Sequence, residues 1–170
     1  GVSRGLGDVY KRQTILVPRH INRSEEIKQQ LRKLKLIVTE RSSGHKPSDN
    51  CDVYIVNTYG EMSKFLRLSN VTFIGGSLVN HGGQNPLEAV RMGNYVMHGK
   101  KVNNFKEIYK ELKSLKISSE IKNIDQMEKV FVKNHNYKIS NSKINKINYL
   151  GAKIFEDNVK DCLLYTSPSP

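Results

Sequence analysis

The feature that most restricts the fold of this chain is alternation: short apolar, β-rich runs take turns with stretches whose apolar residues recur at helical spacing. Thr14-Ile15-Leu16-Val17 is the first run, and it stops at Pro18, which has no N–H to give to a strand ladder. Ser24-Glu25-Glu26 then opens a helix, with a hydroxyl at the capping position and two acids in the first turn. Ile27, Leu31 and Leu34 fall on one face of that helix. Leu36-Ile37-Val38 is a second strand, residues 42–50 (SSGHKPSDN) form a polar loop, and Asp52 to Val56 is a third strand. A short helix holds Met62, Phe65, Leu66 and Leu68. Val71 to Ile74 is a fourth strand that runs into Gly75-Gly76-Ser77. Another helix starts near Pro86, and Tyr95-Val96-Met97 is a fifth strand. Phe105, Ile108, Leu112 and Leu115 mark one face of the next helix, and a sixth strand follows near Ser119 to Ile121. Met127, Val130 and Phe131 suggest a further helix, and Ile144, Ile147, Leu150 and Ile154 a last one. Such alternation predicts an α/β fold: a Rossmann-like parallel sheet with helices on both faces.

The chain has 170 residues, 37% of them hydrophobic, which suits one domain with a modest core and a trailing helix. Its 28 Lys and Arg against 16 Asp and Glu give a net charge of +12. A surface that basic fits a polyanionic partner: nucleic acid, an anionic membrane surface or a phosphorylated substrate. No apolar run reaches roughly 18 residues, the length that crosses a bilayer core. Cys51 and Cys162 show neither metal spacing nor a disulfide framework, and read as reduced thiols of a cytoplasmic protein.

The two ends fit neither period. The first 13 residues, GVSRGLGDVYKRQ, and the last nine, CLLYTSPSP, resemble translated sequencing-adaptor read-through. Residues 1–13 and 162–170 are therefore expected to be non-native tails, and 14–161 the folded domain. The N-terminal piece carries Arg4, Lys11 and Arg12 against Asp8, so leaving out its +2 keeps +10 on residues 14–161. On this reading the frame is cut at both ends, and a preceding domain is missing.

In parallel α/β sheets ligands bind beyond the carboxyl ends of the strands. Three segments stand there: Pro18-Arg19-His20, the stretch from Asn57 to Glu61, and the long stretch from Gly75 to Glu88. In the third, Asn85 is placed to cap a helix, Pro86 to occupy its first position, and Glu88 to complete a capping box. Two glycine pairs, Gly75-Gly76 and Gly82-Gly83, precede it. Glycines let a backbone approach a ligand closely, and a Gly-rich loop feeding a helix start offers N–H groups to a phosphate. A plain helix start is the alternative reading. No Gly-Lys-Ser/Thr ends the loop and no G-x-G-x-x-G follows the first strand, which argues against an ordinary NTPase or NAD enzyme. Arg19 is suited to fork two donors onto a phosphate, or else is a plain surface cation. His20 and His81 are weaker candidates. Glu61 either contacts a ligand or complements a helix dipole. The lysine-rich stretch from Lys138 to Lys160 reads as a solvated helix face, with attraction to anionic lipid as the alternative.

Together these segments resemble the C-terminal domain of 3-deoxy-D-manno-octulosonic acid (Kdo) transferases. Pro18-Arg19-His20 is similar to the family's Val-Pro-Arg-His strand end, and Tyr59-Gly60-Glu61 to its Met/Leu-Gly-Glu step. Gly75-Gly76-Ser77-Leu78 followed by Gly82-Gly83-Gln84-Asn85-Pro86-Leu87-Glu88 is similar to its signature loop, and Asn104-Phe105 to its helix entry. The likeness runs from about Ile15 to about Phe131. Tyr59 departs from it, standing where the family usually has a less bulky residue, and Lys100-Lys101 stands where the family often has Pro-His.

The resemblance implies the C-terminal half of a GT-B glycosyltransferase that uses CMP-Kdo as donor, at the cytoplasmic face of the bacterial inner membrane. It implies CMP contacts at Pro18, Arg19, Tyr59, Gly60, Glu61, Asn85, Pro86, Leu87 and Glu88, with further contacts at His20, Gly76 and Ser77. The lipid A precursor and the catalytic carboxylate would belong to the missing N-terminal domain, so no catalytic residue is expected in this chain. With no Asp-x-Asp cluster, no metal or other cofactor is expected. One rival is another GT-B glycosyltransferase or a nucleotide-sugar epimerase domain. A second is a basic nucleic-acid-binding module, which would interleave aromatics with basic residues on a sheet face. Aromatics make up only 8% of this chain and its lysines fall mainly on helices, so nucleic acid is not an expected partner.

Overall fold

The computed structural model describes residues 13–165. Gly1 to Arg12 and Thr166 to Pro170, most of the two expected tails, lie outside the described residues, as does the side chain of Ile154. The chain divides into two compact units, one ending at Phe65 and the other starting at Leu66. Each holds its own parallel sheet of three strands, so the single sheet expected from sequence is two. The α/β, Rossmann-like class holds in both.

In the first unit β1 (Thr14–Leu16), α1 (Ser24–Lys33), β2 (Val38–Glu40), β3 (Val53–Ile55) and α2 (Met62–Leu66) follow in turn. The sheet order is β1-β3-β2, all parallel. The middle strand is buried along its length, with Ile55 at 0% exposure, which is why it reads as an unbroken apolar run. Cys51, Tyr54 and Val56 form its core, with Ile15 and Phe65 packed against them.

Two local details differ from expectation. Ser24 does not cap α1: a 3-10 turn, Ile21–Arg23, precedes the helix, and the Ser24 hydroxyl donates to the Ile21 carbonyl at 2.6 Å. Strand β2 also starts two residues late, because α1 needs those residues to end. Leu36 N donates to Leu31 O and Lys35 N to Arg32 O, with Lys35 at φ +60°, which is a Schellman exit.

The second unit runs β4 (Val71–Ile74), α3 (Leu87–Arg91), β5 (Tyr95–His98), α4 (Lys106–Ser114), β6 (Ser118–Glu120), α5 (Ile124–Asn134) and α6 (Asn141–Tyr165). Its sheet order is β4-β5-β6, again parallel. Val90, Val96, Leu112, Ile117 and Ile147 are fully buried in the core between sheet and helices. Lys146 pairs with Glu111 at 2.9 Å and Asn148 accepts from Arg91 at 2.9 Å, tying α6 to α4 and α3. Cys162 to Tyr165, expected to be tail, continue α6. Leu68, expected on the helix that became α2, lies beyond it and is 76% exposed. The Leu66 carbonyl instead accepts from the side chain of the buried Asn94, whose own oxygen accepts from Thr72. No helix among the described residues is long and apolar enough to cross a membrane.

Helix α4 ends as α1 does, with Ile117 N on Leu112 O and Lys116 at φ +56°. Glycine is favoured there because a Cβ in the left-handed region costs roughly 1–2 kcal/mol. Lys35→Gly and Lys116→Gly should each stabilise the fold, by about 0.5–1 kcal/mol once the greater chain entropy of glycine is counted. Urea unfolding of the two variants checks this; a loss of stability in both would show that the left-handed exits are not strained.

Candidate functional site

In the first unit Leu16 and Glu40 both lie in register with Ile55. The segments after β1, β2 and β3 therefore leave the same carboxyl edge. Pro18 is half-buried, and Arg19 and His20 are exposed. The turn after β3 lifts Tyr59 to 86% exposure, and Gly60 beside it stands at φ +73°, a conformation that an L side chain adopts only under strain.

Glu61, which follows, is held from three sides. Arg41 donates Nε to Oε2 and Nη2 to Oε1, both at 3.0 Å, a fork onto the carboxylate. Thr58 donates its hydroxyl to Oε2, and Lys64 Nζ stands 3.4 Å from Oε1. The fork, helped by Thr58, lowers the Glu61 carboxyl from its usual 4.5 to about 2. Behind it Asn57 accepts from Ser42 N at 2.9 Å and donates to Ser42 Oγ at 2.7 Å and Glu40 Oε1 at 3.2 Å. The turn after β2 is thus stitched to the turn after β3. Asn57 and Thr58 belong to the segment expected after β3, without a role of their own, and Arg41 had not been singled out. Arg41 sits 20 residues from Glu61; its one signal was its place soon after a strand.

In the second unit Ile74 is in register with His98, and His98 with Glu120. The Gly-rich loop after β4 docks on the loop after β5. Ser77 is the fastener: fully buried, it donates Oγ to Ile74 O at 2.6 Å and accepts Gly99 N at 2.8 Å, and its carbonyl accepts Lys101 N at 2.8 Å. The hydroxyl of Ser77, a residue for which the resemblance implies a further contact, is therefore occupied inside the fold. The glycines serve the same docking. A Cβ on Gly82 would overlap the Asn104 amide, one on Gly83 would stand 3.1 Å from the Lys101 carbonyl, and one on Gly99 would overlap the Ser77 carbonyl. Gly76, at φ +70°, turns beside the His81 ring. His98 closes the edge, buried with Nδ1 on Gly99 O at 2.8 Å and its ring 4.5 Å from Tyr109. Burial pushes its pKa down.

Asn85 caps the helix as expected, its Oδ1 accepting Leu87 N at 2.9 Å. Pro86 and Leu87 are buried, so they shape the loop from beneath. Glu88 is half-buried and makes no side-chain hydrogen bond or ion pair among the described residues, so the capping box is not closed. A cleft of about 750 Å³ opens beside Asn85 and Leu87, with Arg91, Asn104, Phe105 and Lys106 on its walls. The structure thus gathers Pro18, Arg19, His20, Tyr59, Gly60 and Glu61 at one sheet edge of the first unit. It gathers Gly76, Ser77 and Asn85 to Glu88 in the loop system at the sheet edge of the second.

No protein-family model matches the chain. A 3-deoxy-D-manno-octulosonic acid transferase of Haemophilus influenzae is 39% identical over 98 residues, covering 58% of this chain and 23% of the relative. A bifunctional glycosyltransferase/methyltransferase of Fusobacterium nucleatum is 30% identical over 157 residues, or 89% of this chain and 23% of the relative. The chain thus spans about a quarter of the length of these relatives. Among solved structures, the C-terminal CMP-Kdo binding domain of WaaA from Acinetobacter baumannii superposes with a TM-score of 0.67 at 30% identity, covering 71% of this chain and 63% of that one. The resemblance read from the motifs therefore holds in sequence and in fold.

The Glu61 clamp carries a pH signature. A carboxyl whose pKa falls on folding stabilises the fold above its unfolded value and loses that contribution as pH drops through the folded value. Here the window runs from 4.5 down to about 2. Glu61→Gln should be less stable than the parent at pH 6, and the gap should close on acidification toward pH 2. Thermal unfolding of both across that range reads it; a gap that does not change with pH would mean that the ionised carboxylate is not what the clamp holds.

Proposed function

We propose, from this likeness to the C-terminal domain of Kdo transferases, that the chain is the donor-binding part of such an enzyme, which moves Kdo from CMP-Kdo to a lipid A precursor in lipopolysaccharide core biosynthesis. The observation that carries the reading is the shared fold at 30% identity with a CMP-Kdo binding domain. The motif segments agree with it, since each stands where an α/β sheet presents its ligand loops.

The residues suggest a division of roles. Arg19, exposed after β1, stabilises the phosphate as the bond from the sugar to its oxygen breaks and CMP departs. Tyr59 and Gly60 offer a ring and an accessible backbone to the nucleoside. Glu61 contributes through its backbone, because its carboxylate is occupied by Arg41 and Thr58. Glu88, whose carboxylate has no partner among the described side chains, accepts from ribose hydroxyls. Pro18 shapes the loop after β1 in the first unit, and Asn85, Pro86 and Leu87 shape the loop before α3 in the second. Ser77 supports its loop from inside the fold.

The acceptor belongs, in this reading, to the part of the relatives' length that lies outside the 23% matched here. That part precedes Thr14 in the proposed enzyme and carries the general base. Glu61 is unsuited to be that base, since its two carboxylate oxygens are taken up by the Arg41 fork and by Thr58. The net charge of +12 and the lysines of α6 suit the cytoplasmic face of the inner membrane, where anionic lipid attracts them.

Calorimetry should find CMP bound in preference to UMP and AMP. Arg19→Ala should weaken CMP by roughly 1.5–3 kcal/mol, the range for a hydrogen bond to a charged group, and leave cytidine almost unaffected. Equal binding of all three nucleotides would sink the nucleotide reading, and equal losses for CMP and cytidine would sink the phosphate role of Arg19. Incubated with CMP-Kdo and a lipid A precursor, the chain should give no product until an N-terminal segment from a relative is supplied. Turnover by the chain alone, at a rate matching a full-length relative, would overturn the division of roles.

A further inference from the structure

The first unit holds an exposed aromatic ring on an unusually constrained turn. Tyr59 is 86% exposed, yet the residues on both sides of it are tied down. Asn57 is bonded to Glu40 and to Ser42, and Glu61 receives Arg41, Thr58 and Lys64. Gly60, between the ring and the clamped carboxylate, stands at φ +73°. All these hydrogen bonds end on the flanks of the turn and none on the Tyr59 ring.

Stability does not exhaust the role of this network. The Arg41 side chain is 39% exposed against 15% for Glu61, so water screens part of what the pair contributes to folding. What the fork does supply is geometry. Two parallel bonds from a planar guanidinium fix the orientation of the carboxylate as well as its distance. A ring offered to a planar ligand needs such fixing, because a base stacks well only over a narrow range of tilt and offset.

We propose that Arg41 is a positioning residue of the nucleotide site, its fork onto Glu61 holding the turn from Asn57 to Glu61 in the shape that presents Tyr59 to the base. This rests on the nucleotide-binding reading above. Arg41 acts through the turn and touches no part of the ligand. Its loss should therefore follow the base and not the phosphate.

The test is calorimetry of the full chain with CMP, cytidine and ribose 5-phosphate, using Arg41→Ala, Arg41→Lys, Tyr59→Ala and the Arg41→Ala/Tyr59→Ala pair. Arg41→Ala should weaken CMP and cytidine alike, by roughly tenfold, a typical coupling between residues of one network. Ribose 5-phosphate, which has no base, should bind as before. In the Tyr59→Ala background the Arg41 change should cost almost nothing more, because the ring it positions is gone. Arg41→Lys keeps the charge without the fork and should restore little. Hydrogen exchange gives a second readout: amides 58–62 should exchange faster in Arg41→Lys while those of β3 keep their protection. A folded Arg41→Ala that binds CMP as tightly as the parent would overturn the proposal, as would additive losses in the pair or unchanged exchange in Arg41→Lys. Failure of the parent itself to bind CMP is a different result and strikes the nucleotide reading instead.

Discussion

Parallel pairing is the constraint on which the rest of this structure depends. Strands that run the same way and share a register must end together, so every loop after a strand leaves from one edge. Leu16, Glu40 and Ile55 mark that edge in the first unit, and Ile74, His98 and Glu120 mark it in the second. The chain returns through α1, α3 and α4 to the next strand, and from β2 to β3 through a 3-10 turn and a polar loop, so the loops at the carboxyl edge are free to vary in length. Residues far apart in sequence become neighbours there without any local signal. Arg41 and Glu61 meet in this way, and so do Ser77 and Gly99.

At each edge the loops are bonded to one another before any ligand is considered. In the second unit glycine makes this bonding close. Gly99 lets the Ser77 carbonyl and hydroxyl approach the β5 exit, and Gly82 and Gly83 admit Asn104 and Val102. The glycines of the signature loop therefore serve packing between loops at least as much as approach to a phosphate. Helix α3 behind them has only five residues, so its dipole is weak, and the individual N–H groups and side chains of the loop matter more than the helix field. In the first unit the same bonding is done by charged and amide side chains: the Arg41 fork and the Asn57 bridge. Both devices produce loops that are set in shape while their outer faces remain open.

Much of the fold was legible in sequence because burial writes itself locally. Strands β1, β3, β4 and β5 could be found from short apolar runs, and β3, buried on both faces, gave the plainest one, whereas β6, Ser118–Glu120, has no such run. The helices showed their faces through spacing, as Ile108 and Leu112 do on α4, with Leu115 just past its end. The departures have physical causes that local pattern does not record. Strand β2 begins late because Lys35 takes the left-handed exit of α1 and draws Leu34 and Leu36 into it. Helix α2 stops at Leu66, the first residue of the second unit, whose carbonyl accepts from Asn94 of that same unit. Ser24 looked like a cap, but the 3-10 turn before it shifts the helix start.

The site was legible in position and less so in role, for the same reason. Residues after strands fall at the carboxyl edge, so Arg19, Tyr59 and Asn85 could be placed there from sequence alone. What a polar side chain does at that edge depends on its partner across the loops, and partners at separations of 20 residues or more leave no trace in a local motif. Ser77 and Glu61 show this most clearly. Each has the chemistry of a ligand contact, and each is bonded within the protein by a residue from a neighbouring loop. Glu88 has the same chemistry and no such partner among the described side chains. The useful distinction at such an edge is therefore between polar groups the fold has already paired and those it has left facing outward, and only the paired contacts across the loops reveal which is which.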